Sequence, residues 1–283
     1  MLGDMAHPGT ATPKATTGTS AQPLAAPATG PATGPATGPA TRTQGIRARN
    51  RAAIEQEILE VGRQHLARHG AAALSLRAIA RDMGMVSSAL YRYVRNRDDL
   101  LTLLIVSAYT SLADAVEAAH AAVDPRDLDG RWSAVGAGLR QWALDHPHEY
   151  ALIYGSPVPD YEAPAETTNE PGTRVQALLV RLLADASGED RTSGAAASFA
   201  PTSTHLAERA AGTLLSDPFF EGARLTPATL MAGLTAWTLL LGTVSSEVFS
   251  QLGDTVTDPD AYFAYMLEVA GRLVLSPGPA PSA

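Results

Sequence analysis

The sequence contains no cysteine, and only 6% of its 283 residues are aromatic and 18% charged. The absence of cysteine excludes disulfide bridges, thiolate metal sites and a cysteine nucleophile, and it is compatible with a reducing cytoplasm. Long apolar runs are also missing: the run from Leu234 to Val244 is shorter than the roughly 20 residues that cross a bilayer. We therefore expect a soluble, cytoplasmic protein without a membrane partner.

Signatures of catalysis and of metal binding are absent as well. The sequence has no phosphate loop, no nucleophile-elbow glycine pattern and no paired catalytic carboxylates. Two groups could still be arranged into a hydrolase site, Ser245-Ser246-Glu247 and His205 with Asp217. His146 and His148 flank a proline and lack the helical spacing of metal ligands. We predict no enzyme, no cofactor and no metal site.

The first 44 residues differ in composition from the rest of the chain. Proline, alanine, threonine and glycine dominate, and a four-residue PATG repeat runs from Pro27 to Thr41. Such a segment cannot form an apolar core. We therefore predict a disordered extension over residues 1–44 and a short disordered tail over residues 277–283.

Three short helices are predicted between residues 45 and 97. The first is marked by apolar residues at helical spacing, Ile54, Ile58, Val61 and Leu66. Ser75 is the predicted N-cap of the second helix, and Gly84 stands where a left-handed residue must end that helix and turn the chain. Val86, Leu90 and Val94 recur every four residues, so we predict them to form the buried stripe of the third helix.

The polar face of the third helix is predicted to point away from this stripe. It carries hydroxyl, phenol and guanidinium groups, on Ser87, Ser88, Tyr91, Arg92 and Arg95. Such groups bind phosphates and the edges of bases. The alternative interpretation is a three-helix core with a solvated polar face and no nucleic-acid partner.

The distribution of charge favours a nucleic-acid partner. Residues 42–100 contain eleven arginines and six acidic residues, which gives +5, whereas the whole chain carries −8. Residues 101–283 contain nine arginines and 22 acidic residues, which gives −13. Only the three-helix segment is therefore basic, as phosphate binding requires. Its N-terminal arm either contacts phosphates and the minor groove or only adds solvated charge, and it comprises Arg42, Arg47, Arg49 and Arg51.

The same segment carries a family resemblance over Arg47 to Leu104. The motifs are Ser75-Leu76-Arg77-Ala78-Ile79-Ala80, Gly84, Leu90-Tyr91-Arg92-Tyr93 and Arg97-Asp98-Asp99-Leu100-Leu101, in that order. They resemble the DNA-binding domain of the tetracycline-repressor (TetR) family. The resemblance implies a helix-turn-helix module over residues 45–97 that binds double-stranded DNA. Val86, Val94 and Arg97 stand where the family usually has Ser or Thr, Phe and Lys.

The resemblance and the polar face together give nine candidate DNA-binding residues. We expect Tyr91 to contact a phosphate or a thymine methyl group, and Ser87 and Ser88 to lie near base edges. Arg97 is expected to hold a phosphate at the N-terminus of the fourth helix. The full set is Arg49, Ser75, Arg77, Ser87, Ser88, Tyr91, Arg92, Tyr93 and Arg97.

From Leu100 onward nearly all signals are helical, so the predicted fold class is all-α, with a helical regulatory and dimerisation domain over residues 98–276. After a fourth helix that reaches Ala119, helices are predicted at Arg131 to Asp145, Thr173 to Ala186, Pro227 to Leu252 and Pro259 to Leu275. The segment Ser187 to Thr204 is rich in small residues and is predicted to be a mobile loop.

A second set of motifs lies in this domain. It comprises Trp142-Ala143, His146-Pro147, Tyr150, Pro171-Gly172-Thr173-Arg174, Ala236-Trp237, Gly242 and Glu247 to Phe249. These motifs resemble the TetR-family C-terminal domain named for a Trp-His-Gly motif. Leu241 occupies the position before Gly242 where that domain has histidine. The resemblance implies a homodimer in which the last two helices of each chain form a four-helix bundle.

Apolar stripes on the last two helices independently favour a dimer. The predicted interface residues are Leu234, Leu241, Val248, Phe263, Met266, Leu267 and Ala270. An effector pocket is predicted among the aromatic and thioether side chains of the same domain, with one acidic anchor. Its candidate residues are Trp142, Tyr150, Tyr154, Met231, Trp237 and Glu247, together with Phe249.

The sequence therefore predicts a ligand-responsive, DNA-binding transcriptional regulator. We expect a repressor that binds a palindromic operator as a dimer and is released by an apolar or aromatic small molecule. The alternative is a helical small-molecule or protein-binding module that has lost the ability to bind DNA.

Overall fold

A computed structural model describes the backbone of residues 39–188 and 204–275 and the side chains of residues 48–188 and 205–275. Contacts divide the chain into two units, residues 1–47 and residues 48–283, and the helix packing described below lies within the second unit. The greater part of the predicted extension, the core of the predicted mobile loop, and the predicted tail lie outside the described residues.

Three helices and a short 3-10 turn open the described chain. They are α1 (Pro39–His69), the turn Ala71–Ala73, α2 (Leu76–Asp82) and α3 (Ser87–Leu90). Helix α1 begins upstream of residue 45, so the four arginines of the predicted basic arm lie within a helix. Gly70 ends α1 with a φ of 72°, a conformation that glycine adopts without steric cost.

The three helices share one apolar core with the start of the next helix. Its buried members are Ile58, Leu74, Leu76, Ile79, Ala80, Leu90, Val94, Leu100, Leu101 and Leu104. The predicted positions of Leu90 and Val94 are confirmed, but that of Val86 is wrong: this side chain is 70% exposed. Val86 is the N-cap of α3 and has an extended backbone, so the helical periodicity does not yet apply to it.

Seven further helices complete the ten α-helices of the described ranges, in which no β-strand occurs. They are α4 (Arg97–Ala121), α5 (Leu128–Asp145), α6 (Pro147–Tyr154), α7 (Ala165–Gly188), α8 (Thr204–Gly212), α9 (Pro227–Val248) and α10 (Pro259–Val274). Helix α4 packs against α5 and α7, and α9 packs against α10. The predicted all-α class is confirmed.

Side-chain caps begin several of these helices. Asn96 accepts the Asp99 N–H at the start of α4, and Asp127 accepts the Gly130 N–H at the start of α5. Each cap satisfies a backbone donor that has no partner within its helix. Pro227 and Pro259 occupy the first turns of α9 and α10, as predicted.

Helix α7 begins at Ala165, upstream of the predicted start at Thr173. In the sequence, Pro171 and Gly172 predict the end of a helix, yet both lie inside α7. Tertiary packing explains the difference: Pro171 is buried, and Gly172 lies beside the ring of Tyr109 on α4. A local helix breaker is thus accommodated because it fits the neighbouring helix.

Two helices have the length and composition of membrane spans, contrary to the expectation from apolar runs. Both α4 and α9 contain an 18-residue window of mean hydropathy 1.4. Small residues such as Ala, Thr, Ser and Gly interrupt the apolar runs without lowering the mean hydropathy much. Core helices of water-soluble proteins pass the same test, and α4 contributes buried residues to the packing of both halves of the fold.

A buried arginine joins the end of α4 to α5 and α7. Arg131, which is 6% exposed, donates from Nε to His120 Nε2 at 2.9 Å and lies 2.8 Å from the Asp185 carboxylate. Burial, followed by the positive charge of Arg131, lowers the pKa of His120 below its ordinary value of 6.5. Nε2 accepts the hydrogen bond only in the neutral ring, so protonation breaks this contact.

We expect His120 to make the stability of the fold sensitive to mild acid. Because the folded-state pKa is lowered, the unfolded chain takes up this proton first as pH falls below about 6.5. Stability is therefore lost from that pH down to the folded-state pKa. The His120→Gln variant retains an acceptor but cannot be protonated, so its melting temperature should fall less between pH 7.5 and 5.5. The exposed His205→Gln variant is the control, and equal pH profiles for all three proteins would contradict the prediction.

Candidate nucleic-acid interface

The chain between α2 and α3 forms the predicted glycine turn. Gly84 has a φ of 66°, which confirms the left-handed conformation expected of it. The Met85 N–H donates to the Ala80 carbonyl at 2.8 Å and closes the end of α2. This geometry sets α3 at a fixed angle to α2, as in a helix-turn-helix module.

Helix α3 is shorter than predicted, but its helical hydrogen bonding continues into a turn. The Tyr91 N–H donates to Ser87 and the Val94 N–H donates to Leu90, each at 3.1 Å. Val86 makes no side-chain cap, as expected from the absence of a hydroxyl there. We call the segment from Ser87 to Val94 the recognition segment.

The recognition segment has one buried face and one polar exposed face. Leu90 and Val94 are each 1% exposed and anchor the segment to the core. On the opposite face Ser88, Tyr91 and Arg92 are exposed, and Tyr91 reaches 44%. These side chains present hydroxyl and guanidinium donors that no other part of the described fold covers. They can therefore reach base edges and phosphates without rearrangement.

The candidates on the flanking helices differ in their freedom to bind DNA. Arg49 and Arg77 are exposed on α1 and α2. Ser75 accepts the Ala78 N–H at 3.4 Å, which confirms it as the N-cap of α2. Tyr93 is half-buried against the core, and the guanidinium of Arg51 lies 5.6 Å from its ring centroid. Tyr93 therefore supports the segment rather than projecting from it.

Arg97 occupies a position that the sequence did not reveal. Its Nη2 donates to the carbonyl oxygens of Ala71 and Ala72 at 3.0 and 3.3 Å, and its side chain is 30% exposed. Its Nε is buried and has no hydrogen-bond partner. The structure thus places Arg97 between the start of α4 and the 3-10 turn, instead of leaving it free at the helix N-terminus for a phosphate. Sequence spacing could not show this contact because its partners lie more than twenty residues upstream.

The other arginine near this helix start is also paired. Arg95 donates to the Asp99 carboxylate from Nε and Nη2, at 2.6 and 2.9 Å. These hydrogen bonds hold the pKa of Asp99 below its usual range. Arg92 therefore remains the exposed cation of the recognition segment for which the structure gives no acidic partner.

Arg63 links the DNA-binding module to the second domain, a role that its sequence context does not indicate. From α1 it donates through Nε to Glu149 on α6 at 3.0 Å and through Nη2 to Ser107 on α4 at 2.8 Å. The carboxylate of Glu149 is largely buried. Glu149 lies in the first turn of α6, and no local sequence pattern indicates a partner 86 residues away.

The predicted effector residues do not converge on one cavity. The Trp142 N–H donates to Ser111 at 3.0 Å, and the Tyr150 and Ser245 hydroxyls are hydrogen-bonded at 2.8 Å. Burial raises the pKa of Tyr150, which is fully covered. Trp237 is half-buried against the core. The main role of these aromatic side chains in the structure is therefore to pack the core.

Glu247 is engaged in an ion pair rather than free as an anchor. Arg140 donates to its carboxylate from Nε and Nη2 at 2.7 and 2.6 Å, and also to Asp260 at 2.7 Å. Its guanidinium lies 4.9 Å from the ring centroid of Phe263. Hydrogen bonding to Glu247 raises the pKa of Arg140, so the guanidinium is charged at neutral pH. This network ties α5 to α9 and α10.

Two cavities flank α6 and the loop that follows it. The first, which we call the junction cavity, has a volume of about 830 Å³ and includes Leu66, Ala71, Ala72, Ala151, Tyr154 and Phe249 among its walls. The second, the inner cavity, has a volume of about 410 Å³ and is lined by residues that include Ile105, Tyr109, Ile153, Tyr161 and Gly172. Leu152 and the loop from Gly155 to Val158 line both cavities. Of the predicted effector residues, Tyr154 and Phe249 thus lie at the junction cavity.

An open groove lined by apolar and hydroxyl side chains runs along α9 and α10. This outer groove has a volume of about 540 Å³ and is lined by residues that include Met231, Leu234, Leu239, Thr238, Tyr262 and Met266. Met231, predicted to contact an effector, therefore lies at the outer groove instead.

The predicted dimer residues divide between this groove and the core of the monomer. Leu234 and Met266 line the outer groove. Phe263 and Ala270 are buried within the chain, and Leu267 packs closely against Gly136, so their place in an interface stays a prediction. Leu241 and Val248 are half-buried against the same core. Both faces of these helices carry apolar residues at helical spacing. That spacing does not show which face packs against the core of the same chain and which is available to a second subunit.

Comparisons with known proteins agree with this architecture. Residues 58–104 match the family described as "Bacterial regulatory proteins, tetR family", and residues 132–270 match "Tetracyclin repressor-like, C-terminal domain". The HTH-type transcriptional regulator Rv1816 of Mycobacterium tuberculosis is 42% identical over 229 residues, 77% of this chain and 91% of that protein. Mb1846 of Mycobacterium bovis, named in the same way, matches equally.

Solved structures share the fold. The regulatory protein SCO4313 superposes with a TM-score of 0.62 at 33% identity, covering 79% of this chain and 97% of that one. A protein of unknown function from Rhodococcus sp. RHA1 does so with a TM-score of 0.57 at 20% identity, covering 78% and 95%. The second likeness concerns the fold alone.

A helix-turn-helix module followed by a larger helical domain defines a DNA-binding transcriptional regulator. The chain belongs to the tetracycline-repressor (TetR) family, which the family matches and the 42% identity to Rv1816 show. The Trp-His-Gly subtype of its C-terminal domain remains a prediction.

Proposed function

We propose that the protein is a cytoplasmic, dimeric repressor that binds a palindromic operator and leaves it when a small molecule binds the second domain. Residues 45–97 would form the DNA-binding domain and residues 98–276 the regulatory and dimerisation domain. The observation that carries the proposal is the exposed polar face of the recognition segment, held by a buried core in the only basic part of the sequence.

In this proposal each subunit places its recognition segment in a major groove. Ser88 and Tyr91 would lie near base edges, while Arg92, Arg77 and Arg49 would contact phosphates. The acidic second domain would remain off the DNA because its charge repels phosphate. Affinity would then depend on salt, as phosphate contacts release counterions.

The outer groove supports the dimer. Its walls contain methionine, leucine and tyrosine side chains, and an open apolar surface of this kind costs free energy in water. A second copy of the same groove related by two-fold symmetry would cover it. The two recognition segments would then meet half-sites about 34 to 36 Å apart.

We propose that the activity is binding rather than catalysis. The serine and glutamate that could be arranged into a hydrolase have other partners, since Ser245 is hydrogen-bonded to Tyr150 and Glu247 to Arg140. A nucleophile needs a base within hydrogen-bond reach, and neither pairing supplies one. Release of DNA would follow from a shift between dimer geometries that bind the effector with different affinity.

Selection of bound fragments from sheared genomic DNA by the purified protein tests the proposal. We expect enriched fragments to share an inverted repeat, and binding to one such fragment to fall with rising salt. Recovery of fragments that share no common sequence, or that contain only a single half-site, would contradict the proposal of a dimeric repressor.

Arg92→Ala is expected to weaken operator binding mainly through the loss of one phosphate contact per subunit. The slope of log affinity against log salt concentration should then flatten by about 0.9 per subunit, measured by fluorescence anisotropy with labelled operator. Arg181→Ala, which removes an exposed arginine of α7, is the matched control and should leave the slope unchanged. A slope that does not change in Arg92→Ala would remove this residue from the DNA contacts.

A further inference from the structure

We propose that the junction cavity is the effector site of this regulator, and that it takes an uncharged, largely apolar small molecule. The proposal rests on the proposed function, because an effector has a meaning only for a regulator that binds DNA. The observation that motivates it is a cavity whose walls come from both the DNA-binding module and the helices of the second domain.

The position of the cavity gives a bound molecule direct contact with the DNA-binding module. One wall contains Leu66 at the end of α1 and Ala71 and Ala72 of the 3-10 turn. The opposite wall contains Tyr154 of α6 and Phe249 at the end of α9. A ligand between these walls can be bound differently in two arrangements of the module, which is the condition for shifting their populations.

The chemistry of the walls selects an uncharged ligand. The described lining residues include no arginine, lysine, aspartate or glutamate, and one histidine, His148. Ser156, Ser245 and Gln251 supply hydrogen-bonding groups, and burial raises the pKa of Tyr154 so that its phenol is neutral. A carboxylate or an ammonium group would lose hydration there without gaining a permanently charged partner. The volume of about 830 Å³ suits a drug-sized molecule that is mostly apolar and carries hydroxyl or carbonyl groups.

One route from the cavity leads through the 3-10 turn. The carbonyl oxygens of Ala71 and Ala72 accept both hydrogen bonds of the Arg97 Nη2, and the same residues line the cavity. Arg97 is the first residue of α4 and follows the recognition segment closely in the chain. A ligand that moves this turn therefore moves the acceptors of Arg97, which lies three residues after the recognition segment.

A second route leads through α6. Ala151 and Tyr154 of α6 line the cavity, and Glu149 one turn earlier accepts the hydrogen bond from Arg63 of α1. Arg63 also holds Ser107 of α4. Displacement of α6 by a ligand would thus also shift α1 and α4, because the partly buried guanidinium of Arg63 connects the three helices.

A pair of fluorescent dyes of similar shape tests the site. N-phenyl-1-naphthylamine is uncharged, whereas 1-anilinonaphthalene-8-sulfonate carries a sulfonate. We expect the full-length protein to bind the uncharged dye at least about tenfold more tightly than the anion, measured by the rise in fluorescence. Equal binding of the two dyes, or no binding of the uncharged one, would overturn the proposal.

Matched substitutions locate the bound dye. Ala151→Trp fills the junction cavity, and Ala163→Trp adds the same bulk at the inner cavity. We expect the first to weaken binding of the uncharged dye about tenfold or more and the second to leave it unchanged. If Ala151→Trp lowers the melting temperature, Gln251→Trp replaces it, because Gln251 lines the same cavity just after the end of α9. We expect Gln251→Trp to weaken binding of the uncharged dye to the same extent. Dye binding lost only in Ala163→Trp would place the site in the inner cavity instead.

Operator release separates this inference from the proposed function. A gel shift with the selected operator is run with and without the uncharged dye. Absence of any operator complex would contradict the proposed function itself, whereas a complex that forms but does not respond to bound dye would overturn the effector site alone. Glu149→Gln should retain dye binding yet need several times more dye for release, because the charged contact with Arg63 is lost. An unchanged dye requirement would remove the second route.

Discussion

Tyr91→Ala should lose operator binding by about 100-fold or more, because each subunit of the dimer gives up one contact worth roughly 1 to 3 kcal/mol. The ring is the largest exposed group of the recognition segment and lies opposite the buried Leu90 and Val94. At 44% exposure its removal should change the stability of the fold by less than about 0.5 kcal/mol. A gel shift with the selected operator measures the loss.

Two control variants identify the source of this effect. Tyr91→Phe retains the ring and removes the hydroxyl, so partial loss would assign part of the affinity to a hydrogen bond with phosphate or base. Arg181→Ala on α7 should bind as the wild type does. Wild-type operator affinity in Tyr91→Ala would show that this segment does not contact DNA.

A double substitution in the outer groove, Leu234→Glu with Met266→Glu, is expected to convert the dimer to a monomer. Both side chains line the groove, and burying four carboxylates at a two-fold interface costs far more than the apolar contact gives. Operator affinity should fall by about 100-fold or more, since two linked half-sites no longer bind together.

Sedimentation velocity at micromolar concentration checks the oligomeric state. Leu214→Glu is the matched control, because Leu214 is an exposed leucine outside the groove. The control should remain dimeric and bind operator normally. A double variant that stays dimeric would show that the outer groove is not the interface.

The DNA-binding module could be predicted in detail from the sequence. The Ser75 cap, the left-handed Gly84 and the buried Leu90 and Val94 follow from local rules of helix formation, and each has the predicted geometry. The prediction is wrong for Val86, because helical periodicity does not apply to a residue that only precedes the helix.

Long-range contacts account for the residues whose roles changed. The sequence predicts Arg97 to be a free cation at the start of a helix. In the structure it donates to two carbonyl oxygens of the 3-10 turn, which lie close to it only because α1 and α4 are packed together. Glu247 resembles a polar anchor until Arg140 is brought beside it. In both residues a charge finds a partner far away in the chain, and no local pattern records that pairing.

Apolar faces present the same difficulty in another form. Leu234 and Leu267 contribute equally to the apolar periodicity of their helices. In the structure, however, Leu234 lines an open groove and Leu267 packs on Gly136 of α5. The pattern measures how apolar a face is and says nothing about its partner. The division between core and interface is decided by which helices lie nearby.

The sequence alone determined that the protein is all-α, that it contains a helix-turn-helix module and that only this module is basic, because periodicity, caps and charge are local properties of the chain. Tertiary structure decided which cations are free, which apolar face is open, and where a cavity touches the DNA-binding module. Those properties depend on distances between residues remote in sequence, and packing fixes such distances.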